Sequence, residues 1–200
     1  MEDIAASPTG TATAFPTETM SPSRTVFPTD TPTRAPTACP DLQGTIQSAR
    51  LETNLQEWPV DLYVYLPSCY DAQKAAGYPL LILLHGQTFT LDQWVHDGLL
   101  ETADRLIAAG EIRPLIIVLP NESHTERDPS VSHFDVVVAD AVLPWIDSHY
   151  NTCADRIYRA VGGISRGAGW AVHIGFLRPG LFGSVGAHSL PPFIGDANRL

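Results

Sequence analysis

Near the end of the 200-residue chain, Gly162-Gly163-Ile164-Ser165-Arg166-Gly167-Ala168-Gly169 sets a serine between glycines two places before and two places after it. The residues ahead, 157–162, read as a short strand, and 167–177 read as a helix. A serine on a sharp strand-to-helix turn holds its hydroxyl clear of the sheet, and small neighbours let the surrounding backbone come close. The helix that starts there aims free N–H groups and its positive end at any oxyanion formed beside the serine. The chemistry this suits is acyl transfer, with Ser165 as nucleophile and Gly163 and Gly167 shaping the turn. A second run, Leu83-Leu84-His85-Gly86-Gln87, ends an apolar strand in His-Gly and opens a loop. An oxyanion hole takes one N–H from the residue after the nucleophile, here Arg166, and one from a loop of this kind, here Gln87. Gly86 is expected to ease the backbone turn. His85, Gly86 and, at the end of a later strand, His188 are candidate pocket residues, with His85 expected to be structural rather than a proton carrier.

These residues need a scaffold, and the apolar pattern supplies one. Residues 44–53 and 60–66 read as a strand pair, the second alternating Val60, Leu62, Val64 and Leu66 against Asp61, Tyr63 and Tyr65. Residues 79–84 and 114–119 are apolar on both faces, as buried parallel strands are. Leu99, Leu100, Ala103, Leu106 and Ile107 share a helical face closed by Gly110. Phe134, Val137, Val138, Ala141, Val142, Trp145 and Ile146 repeat at three and four, predicting one long helix. A last strand is predicted over 181–187. Strands alternating with helices predict an α/β fold, a mostly parallel sheet with helices on both faces, where ligands bind at the carboxyl ends of strands. The polar segment 121–129 after one strand is expected to be a solvated loop, with pocket lining as the alternative. Trp94 and Trp170 are expected to be packing residues.

Composition narrows the classes. Twelve Lys+Arg against 22 Asp+Glu give a net charge of −10, and charged residues are 17%. A chain with this balance and no basic cluster is a poor partner for nucleic acid or anionic lipid. No run of about 18 apolar residues occurs, so no membrane span is expected. Residues 1–38 hold 10 Thr, 6 Pro and 3 Ser and lack apolar periodicity. They are read as a disordered Pro/Thr/Ser-rich linker, and residues 39–200 as the folded domain. Such a stalk suits an extracellular or cell-surface protein, although Met1-Glu2-Asp3-Ile4 opens no signal peptide. If exported, a Cys39–Cys69 disulfide would tether the linker to the domain and close a loop of about 30 residues, worth roughly 3–4 kcal/mol. Cys153 would then be free or pair with Cys69 instead. No metal-ligand cluster and no phosphate-cradling loop appears, so neither metal nor organic cofactor is expected.

Taken together, the motifs resemble the esterase branch of the α/β-hydrolases that includes feruloyl and acetyl-xylan esterases, enterochelin-esterase-like proteins and S-formylglutathione hydrolases. The matching residues are Val64-Tyr65-Leu66-Pro67-Ser68-Cys69-Tyr70, Leu81-Ile82-Leu83-Leu84-His85-Gly86-Gln87, Ile116-Ile117-Val118-Leu119-Pro120 and Gly162-Gly163-Ile164-Ser165-Arg166-Gly167, with Phe182-Gly183-Ser184-Val185-Gly186-Ala187-His188-Ser189 similar to the strand after the elbow helix. The resemblance implies a serine carboxyl-ester hydrolase acting on a small-molecule or carbohydrate-linked ester. It also implies a triad running serine, acid, histidine in chain order. Only one strand follows Ser165, so the chain is expected to be the amino-terminal part of a longer catalytic domain, with acid and histidine downstream of Leu200. A Ser165–His188–Asp196 triad would be an irregular substitute. Two other functions fit the same scaffold: an acyltransferase that passes the acyl group to an alcohol, and a non-catalytic binding module without a triad.

Overall fold

The computed structural model describes residues 43–191 and Phe193. The linker 1–38, Cys39 and Asp196 lie outside the described residues, and with them the linker reading, the Cys39–Cys69 pairing and the irregular triad. Cys153 carries a free thiol, and burial pushes its pKa up.

Among the described residues, six strands, numbered along the chain, form one sheet in the order β1-β2-β4-β3-β5-β6. They are β1 (Thr45–Leu51), β2 (Val60–Leu66), β3 (Leu80–Leu84), β4 (Ile116–Pro120), β5 (Arg159–Ile164) and β6 (Ser184–His188). The first two form an antiparallel hairpin, with Leu51 opposite Val60, and β2 runs antiparallel to β4, with Leu62 opposite Pro120. From β4 across to β6 the sheet is parallel. The central strands are the ones with continuous apolar runs. β4 is buried at all five positions, because a strand covered on both faces has no solvent side to offer polar residues.

Helices cover both faces. On one, Val60, Leu62 and Val64 of β2 and Leu80, Ile82 and Leu84 of β3 pack with Phe134, Val142, Ile146, Trp170 and Ile174. On the other, Tyr65, Ile117 and Leu119 pack against Ala103 and Ile107 of α2 (Leu99–Ala108), with α1 (Gln93–His96) just before it. Gly110 follows α2 at φ 69°, the left-handed C-terminal position that favours glycine.

The long helix expected from Phe134 onward runs unbroken to His149, but it is not α-helical throughout. It is built as α4 (Phe134–Val137), a π-helical turn over Val138–Val142 and α5 (Leu143–His149), with Pro144 in the first turn of α5. A proline lacks the N–H an α-helix would use and crowds the preceding turn, so the wider π turn accommodates it while the apolar face stays on the sheet. Before it, Asp128 caps the short α3 (Pro129–Ser132) by accepting from the Ser130 N–H at 2.8 Å. The last strand starts at Ser184 rather than Leu181, and all five of its residues are exposed.

Candidate active site

β5 passes into α6 (Arg166–Leu177) through Ser165, which has φ 51° and ψ −121°. A side-chain-bearing residue seldom adopts positive φ, and one that does is held there by its surroundings. Here the Ser165 N–H donates to the His188 carbonyl of β6 at 2.9 Å, and the Ser165 carbonyl accepts from the Gly169 N–H at 3.0 Å. The flanking glycines leave no choice of residue. A Cβ on Gly163 would lie 2.3 Å from the Gly167 carbonyl carbon, and one on Gly167 would lie 2.2 Å from the Leu84 carbonyl oxygen. Both contacts are with backbone, which cannot swing aside. Ser165 itself is exposed at the carboxyl edge of the parallel strands.

The loop after β3 reaches the same edge, one strand away, since Leu84 pairs with Gly163. It is braced from three sides. The Gly86 N–H donates to the buried Gln93 Oε1 at 2.8 Å, Thr125 Oγ donates to the Gln87 carbonyl, and the Leu91 N–H donates to Asn121 Oδ1 at 3.2 Å. Gly86 does not use positive φ, and a Cβ there would meet only ordinary contacts. Its part in the turn is the N–H that Gln93 fixes. The Gln87 side chain stands exposed.

His85 is buried, and both its ring nitrogens are engaged: Nδ1–H donates to the Gly86 carbonyl at 2.8 Å, and Nε2 accepts from the Glu122 N–H at 2.9 Å. Accepting at one nitrogen while donating at the other defines the neutral ring. Burial, the largest influence, pushes its pKa below the usual histidine value. His188 is exposed at the end of β6, its Nδ1 within 3.1 Å of Ser189 Oγ. His173 lies on α6 with Nε2 3.6 Å from Asp135.

What sequence reading missed is Glu122. It sits two residues past the end of β4, in the stretch expected to be a solvated loop, yet it is 6% exposed. Its carboxylate takes Arg166 Nε–H at 2.8 Å and an Nη2–H at 2.6 Å, Trp170 Nε1–H at 2.8 Å and Ser132 Oγ–H at 2.9 Å. Thus Arg166, directly after Ser165, has its side chain drawn down into the protein and clamped by a two-pronged ion pair. The only sequence signal was an acidic residue next to an apolar strand; Arg166 and Trp170, its buried partners, lie 44 and 48 residues further on.

Beside Glu122 is a cavity of about 210 Å³, walled by residues 55–58 of the β1–β2 connection, the loop after β4 and residues 131–134 at the junction of α3 and α4. Trp58 stands in it 43% exposed, its ring centroid 5.5 Å from that of His124. Among the described residues, no cluster of metal-ligating side chains occurs and no helix is long and apolar enough to cross a membrane.

Residues 53–198 match the Esterase family model, described as "Putative esterase". A xylanase/feruloyl esterase of Xylanibacter ruminicola is 33% identical over 133 residues, covering 62% of this chain and 18% of that protein. An esterase of Mycobacterium tuberculosis, Rv1288, is 31% identical over 149 residues, 71% of this chain and 31% of its own length. Among solved structures, a ferulic acid esterase aligns with a TM-score of 0.67 at 31% identity, over 75% of this chain and 59% of that one. The CE1 ferulic acid esterase of Anaeromyces mucronatus aligns with the same TM-score at 26% identity, over 75% of this chain and 60% of that one. The chain therefore spans less than a third of these curated relatives and about six-tenths of the solved esterases. The order of strands, the turn after β5 and the family match over most of its length agree: the chain belongs to the Esterase family of α/β-hydrolases.

Proposed function

We propose that this chain carries the nucleophile and oxyanion hole of a serine carboxyl-ester hydrolase. The supporting observation is the backbone of Ser165: a non-glycine residue at φ 51°, wedged between two glycines with no room for a Cβ, at the mouth of a helix. Strain of this kind persists where the fold over-determines it, and it clusters at catalytic turns.

In this reading Ser165 Oγ attacks the ester carbonyl carbon as a histidine takes its proton. The carbonyl π electrons move to oxygen, and the resulting oxyanion accepts from the Arg166 and Gln87 N–H groups. Collapse of the tetrahedral species expels the alcohol, which leaves with the proton from the histidine. Water then attacks the acyl-serine by the same route, releasing the acid and restoring the hydroxyl.

Arg166 serves through its main chain. Its guanidinium is spoken for by Glu122, which anchors the first turn of α6 and so the direction of the amide. Gln93 and Thr125 do the same for the opposite donor. The xylanase/feruloyl esterase and the ferulic acid esterase among the relatives support a feruloyl-type ester on a carbohydrate carrier as the substrate.

Labelling with a fluorophosphonate, read by intact mass against Ser165→Ala, tests the nucleophile. The proposal expects one adduct on the natural protein and none on the variant. Equal labelling of both would move the nucleophile elsewhere.

A further inference from the structure

We propose that the cavity beside Glu122 is a subsite for an uncharged sugar ring of the polysaccharide that carries the ester. The inference rests on the esterase reading and adds where the carrier is held.

Its position follows from the sheet. β2 runs antiparallel to β4 with Leu62 opposite Pro120, so the β1–β2 connection lies at the carboxyl end of β4. The parallel strands β4, β3 and β5 bring that end and Ser165 to one edge of the sheet. Strands lie about 4.8 Å apart, so β4 and β5, with β3 between them, are separated by about 10 Å. That is too far for the group bonded directly to the scissile carbonyl. It suits a ring one or two residues along a chain attached there. Binding energy from such a remote group is what an enzyme can use to orient the reacting bond.

Its lining matches a sugar. Trp58 offers a flat apolar face in a cavity that Leu55, Val131 and Phe134 share with hydrogen-bonding groups of Gln56, Ser123, His124 and Arg127. The Trp58 carbonyl is held by Gln56 Nε2–H at 2.6 Å, which steadies the loop behind the ring. His124, its Nδ1 2.9 Å from Glu126 Oε1, packs tilted against the indole and steadies it from one side. A sugar has the same division, a face of C–H groups and a rim of hydroxyls. Glu57 and Arg127 give the lining opposite charges, the Glu122 carboxylate being taken up by Arg166, and the chain carries −10 overall, which disfavours an acidic polymer.

The test is calorimetric titration of unesterified xylo-oligosaccharide into the full chain, its Ser165→Ala variant, Trp58→Ala and Trp58→Phe. The proposal expects saturable binding by the natural chain and Ser165→Ala, weakened about tenfold or more in Trp58→Ala and largely kept in Trp58→Phe. Absence of saturable binding, or binding indifferent to Trp58, overturns it. Hydrolysis is scored separately on the intact protein, with methyl ferulate and a feruloylated oligosaccharide. Trp58→Ala is expected to raise KM about tenfold for the oligosaccharide alone. An equal fall on both esters overturns the subsite. Sugar binding without hydrolysis of either ester by the natural protein would overturn the esterase reading and leave the subsite standing.

Discussion

Glu122 and Arg166, 44 residues apart, hold each other by two hydrogen bonds of 2.8 and 2.6 Å with both side chains almost wholly buried. One belongs to the loop after β4, the other to the first turn of the helix behind Ser165. The pair therefore couples the wall of the Trp58 cavity to the turn at Ser165.

Breaking this pair should cost far more than a surface ion pair. Glu122→Gln keeps a hydrogen-bonding side chain but leaves the guanidinium buried without a counter-charge. The expected loss is roughly 3–5 kcal/mol, which lowers Tm by about 10 °C in a domain of this size. Thermal unfolding of the natural and variant chains reads it directly. A shift of a degree or two would mean that water reaches Arg166.

Gly167→Ala should be worse tolerated than its size suggests. The added methyl meets the Leu84 carbonyl at 2.2 Å, so either β3 or α6 must move. Overpacking costs about 1–3 kcal/mol where side chains can yield, and more where only backbone is available. Reduced soluble yield and lost fluorophosphonate labelling are the expected outcomes. Gly180→Ala, where a Cβ meets nothing, is the matching control.

Gln93→Leu separates positioning from folding. It strands the buried Gly86 N–H, a penalty of about 1–3 kcal/mol, and frees the loop that presents Gln87. With the esterase active, kcat on a small aryl ester should fall about tenfold or more while KM changes little, because the lost interaction matters when the oxyanion forms. A rise in KM alone would argue against Gln87 as a donor.

His85 makes stability depend on pH. Burial holds its pKa below the usual value, Arg166 lowers it further, and Gly86, Glu122 and Asp92 oppose that shift. The unfolded chain therefore takes up this proton at a higher pH than the folded one. Its contribution is fully present above about pH 6.5 and is lost as pH falls through the folded value. Tm measured from pH 7.5 down to 5 should drop more steeply for the natural chain than for His85→Asn. Parallel curves would mean another group carries the dependence.

How far the sequence spoke depended on the range of each interaction. β3 and β4 were visible because burial on both faces writes itself into consecutive residues. The turn at Ser165 was visible because its steric demands fall within five positions. The π turn at Val138–Val142 was not, because a helix widened by one residue keeps nearly the same apolar stripe, and only Pro144 hinted at it. Glu122 and Gln93 were missed because an acid or amide gains its meaning from a partner that the chain brings near only after folding. Trp58 lies outside any periodic segment, so nothing local distinguished it from an ordinary loop residue.

The hydrogen bond from the Ser165 N–H to the His188 carbonyl also bears on the order of assembly. β3 cannot complete its pairing until β5 arrives, and Leu80 finds Arg159 only after the intervening helices have been made. Contacts between residues so far apart along the chain form slowly. The strained turn then waits for β6 as well. During synthesis, a chain still short of His188 can hold most of the apolar core but lacks the clasp that bends Ser165 into place. The turn at Ser165 thus waits for a residue about 20 positions further along the chain.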